Sequence, residues 1–333
     1  MAEPRDLPPI YVDGITRRFG DFTAVDSISM EVPPGTILGL IGPSGSGKTT
    51  IIRMLNGTLK PTSGEVRVLG EVPTRFHRSV RERIGYVPQH FELYEELTAA
   101  ENVSFVASLF GVLWPGRSKR VRRVLQMLDL WEVRHRRARS LSGGMQRRLS
   151  LASALVHSPD LFFIDEPTAG IDPILRQTIW EEFRNLRDEG RTLLVTTQYV
   201  GEAEHCDLVA LIAGGRLIAL DQPDRLRQEA LGGDVIEIRT ARAFDGAVLA
   251  DVQGVKDVRQ DNPRRLLVTA EQAGTTTPRL LQAVSAQGGE VVSSSEYHPT
   301  FDEVFTELVT RTQNGGEVSA EDFTADRRRD HAA

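Results

Sequence analysis

A chain of 333 residues, 40% hydrophobic and 26% charged, carries enough apolar material to bury a core along most of its length, which excludes extended disorder. The length leaves room for two domains. A formal net charge of −6 excludes a protein that coats nucleic acid by bulk electrostatics, and the single cysteine, Cys206, excludes an intrachain disulfide or a multi-cysteine metal site.

In chain order, Met1–Pro9 carries two acidic residues and three prolines and lacks the apolar core of a signal peptide. No apolar run approaches the ~20 residues that span a bilayer. The expectation is a cytosolic chain, so that any action at a membrane needs spanning helices from another protein. From residue 10 to 220 short apolar strands alternate with helical segments, the pattern of a largely parallel sheet. Ile37–Ile41 reads as strand, Gly47–Gly57 as helix and Glu65–Leu69 as strand. Helical spacing, as in Val121, Val124, Leu125 and Leu128, predicts an inserted helical subdomain over residues 97–157. Leu161–Ile164 and Thr192–Thr196 are buried-strand candidates flanking a helix over Ile174–Glu189. Leu208–Ala213 and Arg216–Leu220 form a hairpin about Gly214-Gly215.

A break at Asp221-Gln222-Pro223 ends a first domain over 10–225. Past a linking helix at Asp224–Leu231, a second domain over 232–311 begins with strand Val235–Thr240, helix Phe244–Val252 and strand Val255–Arg259. Strand Leu266–Ala270, helix Pro278–Gln287 and strand Glu290–Ser294 follow. That β-α-β-β-α-β order is the split arrangement of a small ferredoxin-like α+β domain, closed by a helix over Phe301–Val309. Residues 312–333 are polar and are expected to form a disordered tail.

Chemistry enters at Gly42-Pro43-Ser44-Gly45-Ser46-Gly47-Lys48-Thr49-Thr50, a full phosphate-loop pattern placed after a strand and opening a helix. Gly42, Gly45 and Gly47 let the backbone curl its N–H groups inward around a phosphate, and the helix start adds the positive end of its dipole. Lys48 reaches the β- and γ-phosphates of ATP, and the Thr49 hydroxyl is a Mg²⁺ ligand. Only four lysines occur in the chain, which makes a chance match poor. Downstream, the apolar run Leu161–Ile164 ends in Asp165-Glu166. A strand delivering a carboxylate beside a phosphate loop is the second half of a Mg²⁺–nucleotide site, with Asp165 on the metal and Glu166 polarising the attacking water. The fold class that follows is α/β, a P-loop NTPase parallel-sheet core with an inserted helical subdomain and a C-terminal α+β domain.

Leu141-Ser142-Gly143-Gly144-Met145-Gln146, shortly before the acidic strand, resembles the signature motif of ABC-type ATPases. The resemblance covers residues 10–225. It implies that Ser142, Gly143 and Gly144 form a second anion cradle that closes over ATP held by another chain's phosphate loop. Two chains would then sandwich two nucleotides, in a homodimer or a heterodimer. It also implies that Phe19 stacks on adenine. Gln89, in Tyr86-Val87-Pro88-Gln89, would touch Mg²⁺ and lead into the membrane-partner surface. Asp172, in Ala169-Gly170-Ile171-Asp172, would link the two sites across the dimer. At the end of the Thr192–Thr197 strand, where the family usually has histidine, stands Gln198. An amide donates to a phosphate oxygen and carries no proton. Glu166 is therefore the expected base and Gln198 a group that positions the γ-phosphate; the alternative is a slow or inactive site.

The spacing of 93 residues from Lys48 to Leu141 is too short for the long coiled coil of DNA-repair members, and one phosphate loop does not make a fused translation member. The resemblance thus implies an ATPase subunit, peripheral on the cytoplasmic face, that powers a separate polytopic membrane subunit. Phe91–Asn102 is similar to the segment that docks the partner's coupling helix. His298–Phe305 is similar to a C-terminal element of exporters of drugs, lipids or polysaccharides. An importer ATPase and a soluble non-transport ATPase are the alternatives. The basic run Arg117–Arg139 is a solvated helix face, or a surface for lipid headgroups or an acidic partner. The C-terminal domain is a regulator site, a dimerisation element or a passive cap. His205 and Cys206 do not make a metal site.

Overall fold

The computed structural model describes residues 7–89 and 93–313. Most of the Met1–Pro9 segment, the first two residues of Phe91–Asn102, and residues 314–333 of the expected tail fall outside the described residues, while Thr312 and Gln313, placed in that tail by the sequence, continue the last helix. The chain divides into two compact units, Met1–Leu220 and Asp221–Ala333.

The first unit opens with β1 (Ile10–Phe19), β2 (Phe22–Val32), β3 (Ile37–Ile41), α1 (Lys48–Leu55) and β4 (Ser63–Val68). A single turn α2 (Arg78–Arg81), β5 (Ile84–Val87), α3 (Ala99–Leu109), α4 (Gly116–Met127) and α5 (Gly143–Leu155) follow. It ends with β6 (Leu161–Asp165), α6 (Pro173–Asp188), β7 (Thr192–Thr197), β8 (Leu208–Ala213) and β9 (Arg216–Asp221). Six strands form one sheet in the order β5-β6-β7-β3-β8-β9, parallel at every pairing from β5 to β8. β3, β6 and β7 are buried at every position, as strands covered on both faces must be. The glycine pair between β8 and β9 takes positive φ at both residues, +56° and +80°, as a two-residue hairpin turn requires.

Glu65–Leu69 is strand, but not in the parallel sheet. β4 instead joins a separate three-stranded antiparallel sheet, order β2-β1-β4, whose β1–β2 hairpin the sequence reading did not delineate. β2 alternates in and out from Ile28 to Val32, and Ser27 at φ +50° breaks the alternation one residue earlier. α1 fills the space between the sheets: Ile51, Ile52, Met54 and Leu55 share one buried cluster with Val12, Ile15 and Val25 and with Leu38, Leu40 and Phe163. The phosphate-loop helix is thus held from both sides. The helical subdomain is α3, α4 and α5, with α3 started by a capping box in which Thr98 and Glu101 satisfy each other's backbone. Cys206 is buried with burial pushing its thiol pKa up, and a Cβ at Gly39 would stand 2.6 Å from its Sγ.

The second unit holds α7 (Pro223–Leu231), β10 (Asp234–Thr240), β11 (Val255–Asn262), β12 (Arg265–Ala270), α8 (Ala273–Ala286), β13 (Val291–Glu296) and α9 (Phe301–Gln313). The order β11-β12-β10-β13 is antiparallel throughout, the ferredoxin-like arrangement. Two local expectations change. Phe244–Val252 contains only one 3₁₀ turn, Gly246–Leu249. Gly246 lies so close to β12 that a Cβ there would stand 2.8 Å from Leu266. Pro278 lies inside α8 and does not start it. Among the described residues no helix is long and apolar enough to cross a membrane.

Candidate functional site

The phosphate loop joins β3 to α1 and is shaped by its glycines. Gly47 has φ +106°, and a Cβ on it would stand 2.6 Å from the Ala24 carbonyl oxygen. A Cβ on Gly42 would collide with the Ile212 carbonyl oxygen. The loop is tied to β7 and to the β8–β9 turn, as Gly42 N donates to Thr197 O at 3.3 Å and Gly215 N to Ser46 O at 3.2 Å. Lys48 curls back over it, its Nζ donating to Gly42 O at 2.7 Å and Pro43 O at 2.9 Å. Burial pushes the Lys48 pKa down, while Glu166 and Asp165 pull the other way.

β6 delivers the two carboxylates. Asp165 Oδ1 accepts from Thr196 Oγ1 at 2.5 Å and from Thr49 Oγ1 at 3.4 Å. Its Oδ2 is buried and makes no hydrogen bond among the described residues. Ser46 Oγ is in the same condition. Orphaned buried oxygens of this kind are costly without a partner, and an anionic oxygen beside a threonine hydroxyl is the donor set of a hard cation. The residues therefore fit Mg²⁺. Glu166 takes the left-handed region at φ +47°, held there by its N–H donating to Thr196 O and Thr196 Oγ1. One carboxylate oxygen lies 4.0 Å from Lys48 Nζ, and Gln89 Nε2 donates to the other at 2.9 Å.

Arg147, which sequence reasoning missed, binds this corner from below. On α5 and 4% exposed, its guanidinium donates to Pro167 O at 3.0 Å, Pro88 O at 3.1 Å and Gln89 O at 2.6 Å. It also donates to Asp165 O and Glu166 O. Burial pushes its pKa down and the two carboxylates oppose that. The available signal was an arginine on the face of α5 that is otherwise Ser150, Leu151 and Ala154, all buried. Arg176 was also missed: it stacks on the Tyr199 ring at 4.5 Å and pairs with Glu202 at 3.5 Å, tying α6 to the segment after Gln198.

Lys48, Thr49, Gln89, Asp165 and Glu166 are thus brought together. Phe19, Ser142, Asp172 and Gln198 are not: among the described residues no hydrogen bond or ion pair joins them to that cluster. Phe19 is 46% exposed at the end of β1, with the Arg17 guanidinium 4.6 Å from its ring centroid. Gln198 is exposed just beyond β7. Ser142 caps α5, accepting from Met145 N, and Gly143 and Gly144 are its first turn. Asp172 caps α6, accepting from Leu175 N at 3.0 Å. All four are exposed to solvent.

A cavity of about 210 Å³ lies beside Gln89, lined by Tyr86, Pro88, Leu93, Tyr94, Phe110 and His157 among others. His157 stacks flat on Phe110, centroids 3.8 Å apart, and its Nε2 meets Ile84 O at 3.1 Å.

Residues 25–169 match the ABC transporter family and residues 222–309 match the family described as ATP-binding protein DrrA1-3-like, C-terminal domain. The chain is similar to the daunorubicin resistance ATP-binding protein DrrA3 of Streptomyces coeruleorubidus, 36% identical over 90% of this chain and 95% of that one. It is 40% identical to the Nod factor export ATP-binding protein I of Ralstonia nicotianae over 69% of this chain and 72% of that one. Among solved structures, a dimeric ATP-binding cassette in a post-hydrolysis state with ADP and phosphate matches at TM-score 0.59 and 26% identity, covering 64% of this chain and 98% of that one. The chain belongs to the ABC transporter ATP-binding subunits, similar to the multidrug-exporter type, and is an ATP-hydrolysing enzyme.

Proposed function

We propose that the chain is the ATPase of an exporter for a drug, lipid or polysaccharide, docked on the cytoplasmic face of a separate polytopic subunit and working as a dimer. The observation that carries the direction is the match over 222–309 to the DrrA1-3-like C-terminal domain, together with a relative named for drug resistance that aligns over nearly its whole length. The apolar cavity beside Gln89 is the candidate seat for the membrane subunit's coupling element.

At the site, Phe19 stacks on the adenine, and residues 42–50 cradle the phosphates through backbone N–H groups and Lys48. Thr49, Gln89 and Asp165 would hold Mg²⁺, which when bound neutralises phosphate charge and orients the γ-phosphate. Glu166, fixed by Gln89 and by the strained backbone at its own position, accepts the proton of the attacking water. Gln198 donates an N–H to the γ-phosphate. Ser142, Gly143 and Gly144 of a second chain complete the cradle, and Asp172 lies on the route between the two sites. Closure on ATP and reopening after hydrolysis drive the membrane subunit by differential affinity.

The test is purification of the tagged chain from its own gently solubilised membranes. A stoichiometric polytopic protein, and ATP-dependent outward transport by the pair in vesicles, is the expected result. Inward transport makes it an importer ATPase, and recovery from the cytosol with soluble partners makes it a non-transport ATPase.

A further inference from the structure

Between α3 and α4 the helical subdomain turns outward an apolar tip: Leu109, Leu113 and Trp114 are 60%, 79% and 69% exposed. The tip runs directly into a cationic helix face. From Val103 to Met127 the sequence holds five lysine or arginine residues and no acidic one, against a net charge of −6 for the whole chain. Val121, Val124 and Leu125 bury one side of α4, which leaves Lys119, Arg120, Arg122 and Arg123 exposed. Lys119, Arg122 and Arg123 share one face at i, i+3 and i+4. Arg123 is paired with Glu189 at 3.1 Å and Arg120 donates to His157 O. Arg122 stands over the Trp131 ring at 5.2 Å and makes no ion pair with a carboxylate among the described residues.

We propose that this tip and face form a surface for anionic lipid, with Leu113 and Trp114 entering the headgroup region and Lys119 and Arg122 meeting lipid phosphates. An exposed Trp beside Leu has its lowest free energy at a membrane–water interface, and a neighbouring set of cations adds attraction to an anionic leaflet. A protein partner for so cationic a segment would have to supply several acidic groups, while a bilayer surface supplies them without sequence specificity. Phe110, which lines the cavity beside Gln89, lies within the tip segment between Leu109 and Leu113.

The test uses the full-length chain with phosphatidylcholine vesicles, with and without phosphatidylglycerol, read by co-flotation and tryptophan emission. The expected result is flotation with the anionic vesicles only, weakened by salt, with a blue shift absent in Trp114→Phe. The double variant Lys119→Glu/Arg122→Glu should bind more than about tenfold more weakly, with ATP turnover of the free chain unchanged. Absence of flotation, equal binding to neutral vesicles, or a shift that persists in Trp114→Phe overturns the proposal. So does an effect of these variants that appears only with a membrane subunit present, which assigns the patch to a protein contact. Vesicles contain no such subunit, so this result stands or falls separately from the transport reading.

Discussion

Gln89 Nε2 donates to Glu166 Oε2 at 2.9 Å, so the residue leading into the cavity holds the carboxylate expected to act as base. A shift of Gln89 is therefore felt as a shift of Glu166. Gln89→Ala should lower kcat about tenfold, the worth of one hydrogen bond to a charged group, with ATP affinity nearly unchanged when measured without Mg²⁺. Equal kcat in the variant would remove this contact from the mechanism.

Arg147 holds the backbone oxygens of the same two residues. Arg147→Met keeps the volume and strands several buried carbonyls, each costing about 1–3 kcal/mol. A loss of at least about 3 kcal/mol in urea unfolding is expected, with turnover reduced beyond what the unfolded fraction explains. Arg147→Lys, lacking the planar fork, should recover only part of either.

Glu166→Gln should reduce turnover by about a hundredfold or more while ATP still binds. Gln198→Ala should cost about tenfold or less, the value of one donor to a phosphate. Phosphate release under saturating ATP distinguishes them, and an unaffected Gln198→Ala would exclude that side chain from the reaction.

Lys48 has a pKa lowered from the ordinary 10.5 by burial. The unfolded chain therefore binds more protons than the folded one between the two values, and stability of the nucleotide-free protein rises with pH across that window. Nucleotide binding needs the ammonium, so ATP affinity should fall as pH rises through the folded value. Opposite slopes in thermal unfolding and in titration calorimetry are the expected pair. Lys48→Arg should flatten both.

His157 has its pKa lowered from 6.5 by burial. Stability is therefore complete above pH 6.5 and declines as pH falls toward the folded value, because the unfolded imidazole takes up a proton that the folded one resists. In His157→Phe that acid-side slope should be absent from denaturant titrations at a series of pH values. A slope of undiminished size would place its origin elsewhere.

The parallel strands were legible because residues 37–41, 161–164 and 192–196 are unbroken apolar runs, and the phosphate loop was legible because its chemistry demands those residues at that spacing. The β1–β2 hairpin was not, because a left-handed residue at Ser27 breaks the two-residue alternation that marks a half-buried strand. The segment Phe244–Val252 has helical composition, but the close approach of Gly246 to Leu266 leaves room for a single turn. Ala273–Thr277 holds glycine and three threonines, so Pro278 looked like a helix start; packing of Thr276, Leu280 and Val284 in the core carries the helix across it. Arg147 eluded the sequence because its partners are main-chain carbonyls from two segments remote in the chain, 88–89 and 165–167, which no local spacing encodes.

Gly39 and Cys206 have a practical consequence. The single thiol is shut in against β3 and held protonated, so maleimide and methanethiosulfonate reagents should leave the folded chain untouched. The natural protein is then already a blank background for spectroscopy. A cysteine introduced at Asn185 or Val292 would be the sole attachment point for a fluorophore or spin label, with no native sulfur to remove first.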